Sequence, residues 1–154
     1  MANTFSQIYI QIVFAVQNRK ALIDYSWEEQ LYKYITGIIT NKGQKLIAIN
    51  GMPDHIHIFI GMKPTCCLSD LVREIKKSSN TYIKDNNLTD TKFNWQEGFG
   101  AFSYSHSHVD NVYNYILNQK IRHKKATFKE EYFEILEKFN VDFKEEYVFD
   151  FFED

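Results

Sequence analysis

The sequence predicts an α+β fold, a single antiparallel sheet with helices packed on one face. Three observations carry this. Period-two alternation marks strands near residues 5–17 and 54–60, helical spacing of apolar residues fills the stretches between strands, and turn residues punctuate the boundaries. A chain of 154 residues with 44% hydrophobic residues has room for one sizeable core and little room for two.

Each element follows in order. From Phe5 to Gln17, Ile8, Ile10, Ile12, Phe14 and Val16 fall on one face, and Gln7, Tyr9, Gln11 and Val13 on the other, as a half-buried strand requires. Ser26 and Glu29 read as a capping box for a helix over about 26–42, carried by Leu31, Ile35, Ile38 and Ile39 and stopped by Gly43. Lys45–Asn50 and Asp54–Ile60 flank the turn residues Gly51, Met52 and Pro53, predicting an antiparallel pair. Leu68, Leu71, Val72 and Ile75 mark a second helix reaching toward Lys84, with Asn86 and Asn87 ending it. Strand pieces around Gly98 and Gly100 follow. A third helix, capped by Ser107 with Asp110, carries a core stripe of Val109, Val112, Tyr113, Ile116 and Leu117. Thr127 with Glu130 caps a last helix. The resulting order, strand, helix, strand, strand, helix, strand, helix, suits a split βαβ, ferredoxin-like (RRM-like) sheet.

Composition narrows the function classes. Among 154 residues, 6 Gly, 2 Pro and 16% aromatics exclude a disordered or collagen-like chain. The start has no basic segment before its apolar residues, and no run of 18 apolar residues exists, so a cytoplasmic protein without a membrane span is expected. Cys66 and Cys67 are adjacent, which fits neither a relaxed disulfide nor zinc spacing. Charge is split: residues 1–129 carry 16 Lys and Arg against 10 Asp and Glu, and residues 130–154 carry 2 against 10. A basic body with an acidic tail is compatible with phosphate binding by the body.

The chemistry concentrates in Asp54-His55-Ile56-His57-Ile58-Phe59-Ile60, where alternation sends both imidazoles to one face, their bases about 6–7 Å apart. Two such rings can converge on a divalent ion, or they can be ordinary surface histidines of an amphipathic strand. Tyr115 and Gln119, four apart on the third helix, share a face. A phenol is a potential nucleophile and a Gln carbonyl a hard metal ligand, but both also suit plain helix positions. Asp54 alternates to the opposite face and is set outside the site, and His106 and His108 read as loop or cap residues.

Taken together, MPDHIHIFI followed by YILNQ resembles the HUH single-tyrosine transposases, the TnpA-type enzymes of small insertion sequences. The resemblance runs from the IYIQIVFAV strand to about Arg122. It implies that His55, His57 and Gln119 hold a divalent metal, Mg2+ or Mn2+, and that Tyr115 attacks DNA to form a covalent 5′-phosphotyrosine. It also implies single-stranded DNA, with hairpins at element ends, as substrate, and a homodimer in which Tyr115 acts in cis or in trans. Arg73, Lys76, Lys77, Arg122, Lys124 and Lys125 are candidate phosphate contacts. On this reading residues 1–129 form the transposase domain, and residues 130–154 are an acidic, aromatic helical extension packed on it. Two other readings compete: a non-catalytic nucleic-acid binding module of the same fold, and a domesticated relative that retains nicking. A histidine-triad hydrolase is disfavoured because Phe59 stands where a third alternating histidine belongs.

Overall fold

The computed structural model describes residues 4–122 and 127–141, without the side chains of Arg19 and Arg122. Its strands are β1 (Tyr9–Ala15), β2 (Lys45–Met52), β3 (His55–Gly61) and β4 (Gly100–Tyr104). Its α-helices are α1 (Glu28–Asn41), α2 (Leu68–Asp85), α3 (Val109–Leu117), α4 (Gln119–Arg122) and α5 (Phe128–Lys138). The sheet has the order β2-β3-β1-β4 with every neighbour antiparallel. That is the split βαβ, ferredoxin-like arrangement expected from the sequence.

Alternation in β3 works as predicted. Ile56, Ile58 and Ile60 join Ile12, Phe14 and the apolar stripes of α1 (Leu31, Ile35, Ile39) and α2 (Leu71, Val72, Ile75) in one core. Each such fully buried side chain contributes about 1.5–3 kcal/mol of transfer free energy. Gly43, at φ 78°, ends α1, and Asn87, at φ 50°, ends α2, both in the left-handed conformation that closes helices.

The other face departs from expectation. Helices were expected on one face only, yet α3 and α5 cover the second. Val112 and Ile116 of α3 pack on Ala48 and Phe59, while Phe139, just after α5, meets Phe102 and Tyr104 with ring centroids 5.1 and 5.2 Å apart. Tyr132 of α5 lies edge-on to Phe102. The reason is visible in β3, whose residues His55–Ile60 are all buried: the histidine face is polar in composition but roofed by helices, not open to water.

Three smaller expectations also change. The Ser26–Glu29 capping box does not form, because Asp24 Oδ1 accepts from the Ser26 N–H and the Asp24 carbonyl accepts from Trp27 and Glu28, which moves the helix start to Glu28. Ser107 does not cap α3; it lies in a 3₁₀ turn, His106–His108, that precedes the helix. Of the predicted α3 stripe only Val112 and Ile116 are buried, and Tyr113 and Leu117 are exposed. By contrast Thr127 caps α5 as expected, its hydroxyl accepting from the Glu130 N–H.

Gly51 fixes how closely β2 approaches the start of β3. A Cβ there would lie 2.2 Å from the His55 carbonyl oxygen and 2.9 Å from Ile56 Cα, both backbone atoms. Gly51→Ala is therefore expected to destabilise the protein by about 1–3 kcal/mol, read as a lowered Tm in thermal unfolding.

Candidate metal and nucleophile centre

Strand β3 delivers His55 and His57 to the roofed face. Register places Met52 opposite His55 and Asn50 opposite His57 in β2, and Ala15 and Val13 opposite them in β1. The two rings lie edge-to-face, centroids 5.2 Å apart, and His55 stacks on Phe128 of α5 at 3.9 Å. Both histidines are fully buried.

The Tyr-x-x-x-Gln segment does not run as one helix. It breaks at Asn118, so Tyr115 lies in the last turn of α3 and Gln119 begins α4. The break is pinned to β2: Asn50 Nδ2 donates to the Leu117 carbonyl at 3.0 Å. Lys120 Nζ donates to Asn50 Oδ1 and the Gly51 carbonyl and pairs with Glu28. Gln119, fully buried, thus reaches His55, its Oε1 3.4 Å from His55 Nε2. The Tyr115 ring stands edge-on to His57 with centroids 5.8 Å apart.

All four side chains singled out by sequence meet a fifth that sequence reasoning missed. Glu131 of α5, fully buried, places Oε1 3.1 Å from His57 Nε2 and 3.6 Å from His55 Nε2. Its Oε2 accepts from Gln119 Nε2 at 3.0 Å and from the Tyr115 hydroxyl. A signal for it was present: Phe128, Tyr132, Ile135 and Leu136 form the apolar stripe of α5, and Glu131 falls within that stripe, where a lone carboxylate has no bland role. Asp54 was also misplaced. It sits in the turn before β3, where strand alternation does not govern, and its Oδ1 is 2.6 Å from His55 Nδ1. Gln11 and Tyr104 adjoin the site. Gln11 Nε2 lies 2.9 Å from His57 Nδ1, and the Tyr104 hydroxyl donates to Gln11 Oε1 at 2.8 Å.

The donor set suits a divalent cation. Two imidazole nitrogens and a carboxylate oxygen lie within 4.8 Å of one another, with the Gln119 amide oxygen adjoining. Adjacent donors around a metal at about 2.1 Å are about 3.0–3.4 Å apart, close to the spacings seen. Charge supports the same conclusion, since a fully buried carboxylate calls for a cation beside it.

Below the folded pKa of His55, a proton on that ring supplies part of that charge. Burial alone would lower its pKa, but the hydrogen bonds and charges of Asp54 and Glu131 outweigh it and raise the pKa above the usual 6.5. The folded protein then holds this proton more tightly than the unfolded chain. Its stabilising effect is complete below pH 6.5 and is lost as pH rises through the folded value. A metal competes with that proton for Nε2. Mn2+ affinity is therefore expected to fall as pH drops from 8 toward 6.5, by up to about tenfold per unit for each displaced proton, in calorimetric titrations across that range.

The IS200-like transposase family model matches residues 4–119. The chain belongs to the IS200-like transposase family. As a member of that family it is a transposase. Solved structures agree in fold. A protein of Deinococcus radiodurans R1 assigned as a transposase superposes with a TM-score of 0.63 at 19% identity, over 77% of this chain and 95% of that one. A REP-associated tyrosine transposase bound to a REP hairpin gives 0.61 at 16% identity, over 80% of this chain and 73% of that one. No curated protein sequence matches. In this transposase α5, and Glu131 with it, lies beyond the matched span.

The candidate phosphate contacts divide. Arg73, Lys76 and Lys77 stand on α2, which packs against the Ile56–Ile60 face, across the sheet from the histidines. Arg73 pairs with Asp70, and Lys76 donates to the Gln96 and Gly98 carbonyls. The Arg122 side chain, Lys124 and Lys125 lie outside the described residues, as do residues 142–154 of the acidic extension. Among the described residues no helix is long and apolar enough to cross a membrane.

Proposed function

We propose that this transposase is a metal-dependent strand transferase that cleaves and rejoins single-stranded DNA through a covalent 5′-phosphotyrosine on Tyr115. The observation that carries the reading is the convergence of Tyr115, His55, His57 and Gln119 from three elements onto one buried carboxylate, Glu131. His55, His57 and Glu131, with Gln119 adjoining, would hold the divalent metal, Mg2+ or Mn2+. Such a cation neutralises charge on the scissile phosphate and assists the departing oxygen.

The protein's own residues do the rest. Glu131 Oε2 accepts from the Tyr115 hydroxyl, holding the phenol beside the histidines and giving its proton an acceptor. The Tyr115 oxygen bonds to phosphorus, the bond to the 3′ oxygen breaks, and that oxygen leaves as a 3′-hydroxyl once protonated. Because the phosphotyrosine conserves a phosphodiester, a 3′-hydroxyl can attack it later and rejoin strands without a nucleotide cofactor. The roof of α3 and α5 keeps water from competing for the ester.

The substrate proposed is single-stranded DNA carrying hairpins, as in the hairpin complex of the REP-associated neighbour. Arg122, Lys124 and Lys125, which follow Gln119 closely in sequence, are the proposed phosphate contacts beside Tyr115; Arg73, Lys76 and Lys77, on the other side of the sheet, would contact phosphates away from the cleavage point. A homodimer and a cytoplasmic location are part of the same reading. The test is incubation with labelled single-stranded DNA from the flanks of the gene, with Mg2+ or Mn2+, on a denaturing protein gel. A labelled adduct that forms with metal and vanishes with EDTA is expected. DNA that shifts on a native gel but never forms an adduct would give the lead to a non-catalytic binding module.

A further inference from the structure

Gln11 is a polar side chain in the middle of a central strand, 1% exposed, on the same face as His57. Such a group is costly to bury unless its hydrogen bonds are made. Here they are made in a row: the Tyr104 hydroxyl donates to Gln11 Oε1 at 2.8 Å, and Gln11 Nε2 lies 2.9 Å from His57 Nδ1. An amide N–H donates only to a ring nitrogen without a proton. With the Gln11 amide turned this way, His57 accepts at Nδ1 and its proton belongs on Nε2, toward Glu131 Oε1 3.1 Å away.

That tautomer cannot bind a metal through Nε2. Ligation requires the Nε2 lone pair, which sends the proton to Nδ1 and calls for an acceptor where an amide donor now stands. Rotating the Gln11 amide by half a turn supplies it, with Oε1 toward Nδ1 and Nε2 toward Tyr104. Tyr104 can answer because a hydroxyl both donates and accepts. Its pKa, raised to about 12 by burial, keeps that hydroxyl protonated throughout. The ring of Tyr104 is fixed edge-on to Phe59 and Phe139, so only its hydroxyl proton needs to move.

His55 offers a contrast. Its Nδ1 faces the carboxylate of Asp54, an acceptor, which sets the Nδ1–H form in advance. At His55 a metal need only displace a proton from Nε2, whereas at His57 the ring proton must change nitrogens.

We propose that Gln11 and Tyr104 are positioning residues for the metal centre, a reversible hydrogen-bond relay that holds His57 in one tautomer without metal and in the other with it. The inference rests on the proposed metal site, which it deepens: neither residue belongs to the histidine or tyrosine motif. In either direction the Gln11–His57 and Gln11–Tyr104 contacts each pair a donor with an acceptor, which a Gln, with one donor end and one acceptor end, can do and a Leu cannot.

The experiment uses the full chain and two readouts. Long-range 1H–15N NMR of the imidazoles is expected to show His57 protonated on Nε2 in the metal-free protein and on Nδ1 after saturation with Mg2+. Manganese titration followed by EPR is expected to show a 10- to 100-fold loss of affinity in Gln11→Leu, recovered in Gln11→Glu, whose carboxylate is a permanent acceptor for Nδ1–H. Tyr104→Phe is expected to weaken binding by a smaller factor. His57 already protonated on Nδ1 without metal would overturn the relay, as would a folded Gln11→Leu variant that binds Mn2+ like wild type. A Gln11→Glu variant as weak as Gln11→Leu would overturn it too, since packing alone would then explain both. Wild-type protein that binds no Mn2+ at all would remove the metal site itself, and the relay with it. The NMR experiment needs no variant to fold.

Discussion

Tyr115→Phe is expected to abolish the DNA adduct, lowering strand cleavage by at least about a thousandfold while leaving metal binding close to wild type. A nucleophile acts only through the bond it makes, so its removal takes the whole chemical step with it. The substitution deletes one oxygen and keeps the ring, whose edge-on contact with His57 and place beside Ile116 at the end of α3 do not depend on it. What is lost besides is the hydrogen bond to Glu131 Oε2, an oxygen that Gln119 Nε2 still satisfies. The expected result is therefore a folded protein that binds Mn2+ and single-stranded DNA and forms no labelled adduct on a denaturing gel. An adduct of wild-type intensity would move the nucleophile to another side chain and end the tyrosine mechanism.

Strand alternation explains why half of this centre was legible in the sequence. His55 and His57 flank Ile56, whose partners Ile58 and Ile60 needed a core, so the histidines had to share the other face. Element order then pointed to the sheet, because each of the first two helices had a stop that could be read locally, at Gly43 and Asn87. What could not be read was where a polar face would be closed. Alternation distinguishes two faces of a strand but not a wet face from one roofed by a later helix. That is why the helices were expected on one face only, and why His55 and His57 could equally have been surface residues. The position of Asp54 was misread for a related reason: the strand was extended one residue into the turn, and alternation was applied where it does not hold. Tyr115 and Gln119 were paired on the assumption of one continuous helix. The chain breaks between them, yet both arrive, because Asn50 and Lys120 anchor the break to β2 next to the histidines. Local spacing picked out side chains that meet in the fold, and tertiary contacts that no spacing encodes bring them together.

Glu131→Gln separates two roles that the geometry leaves joined. The carboxylate faces the histidines with Oε1 and faces Tyr115 and Gln119 with Oε2. An amide of the same shape retains an acceptor oxygen for one of these sides and removes the negative charge. If the carboxylate is a metal ligand, losing that charge and one anionic donor is expected to weaken Mn2+ binding by about 10- to 100-fold, measured by calorimetry at pH 8, where protons compete least. Cleavage should fall with it and recover in part when Mn2+ is raised, as expected for a lost ligand and not for a lost nucleophile. The metal-free variant should also lose the feature that raises the His55 pKa from one side, leaving the Asp54 carboxylate beside that ring. Its stability should then depend less on pH between 6 and 8 than that of wild type. Undiminished Mn2+ affinity would show instead that the His55, His57 and Gln119 set binds metal without help from α5. In that case Glu131 would be left with the task of holding the Tyr115 hydroxyl, and the helix that carries it would stand outside the metal centre in function as it does in the span shared with the family.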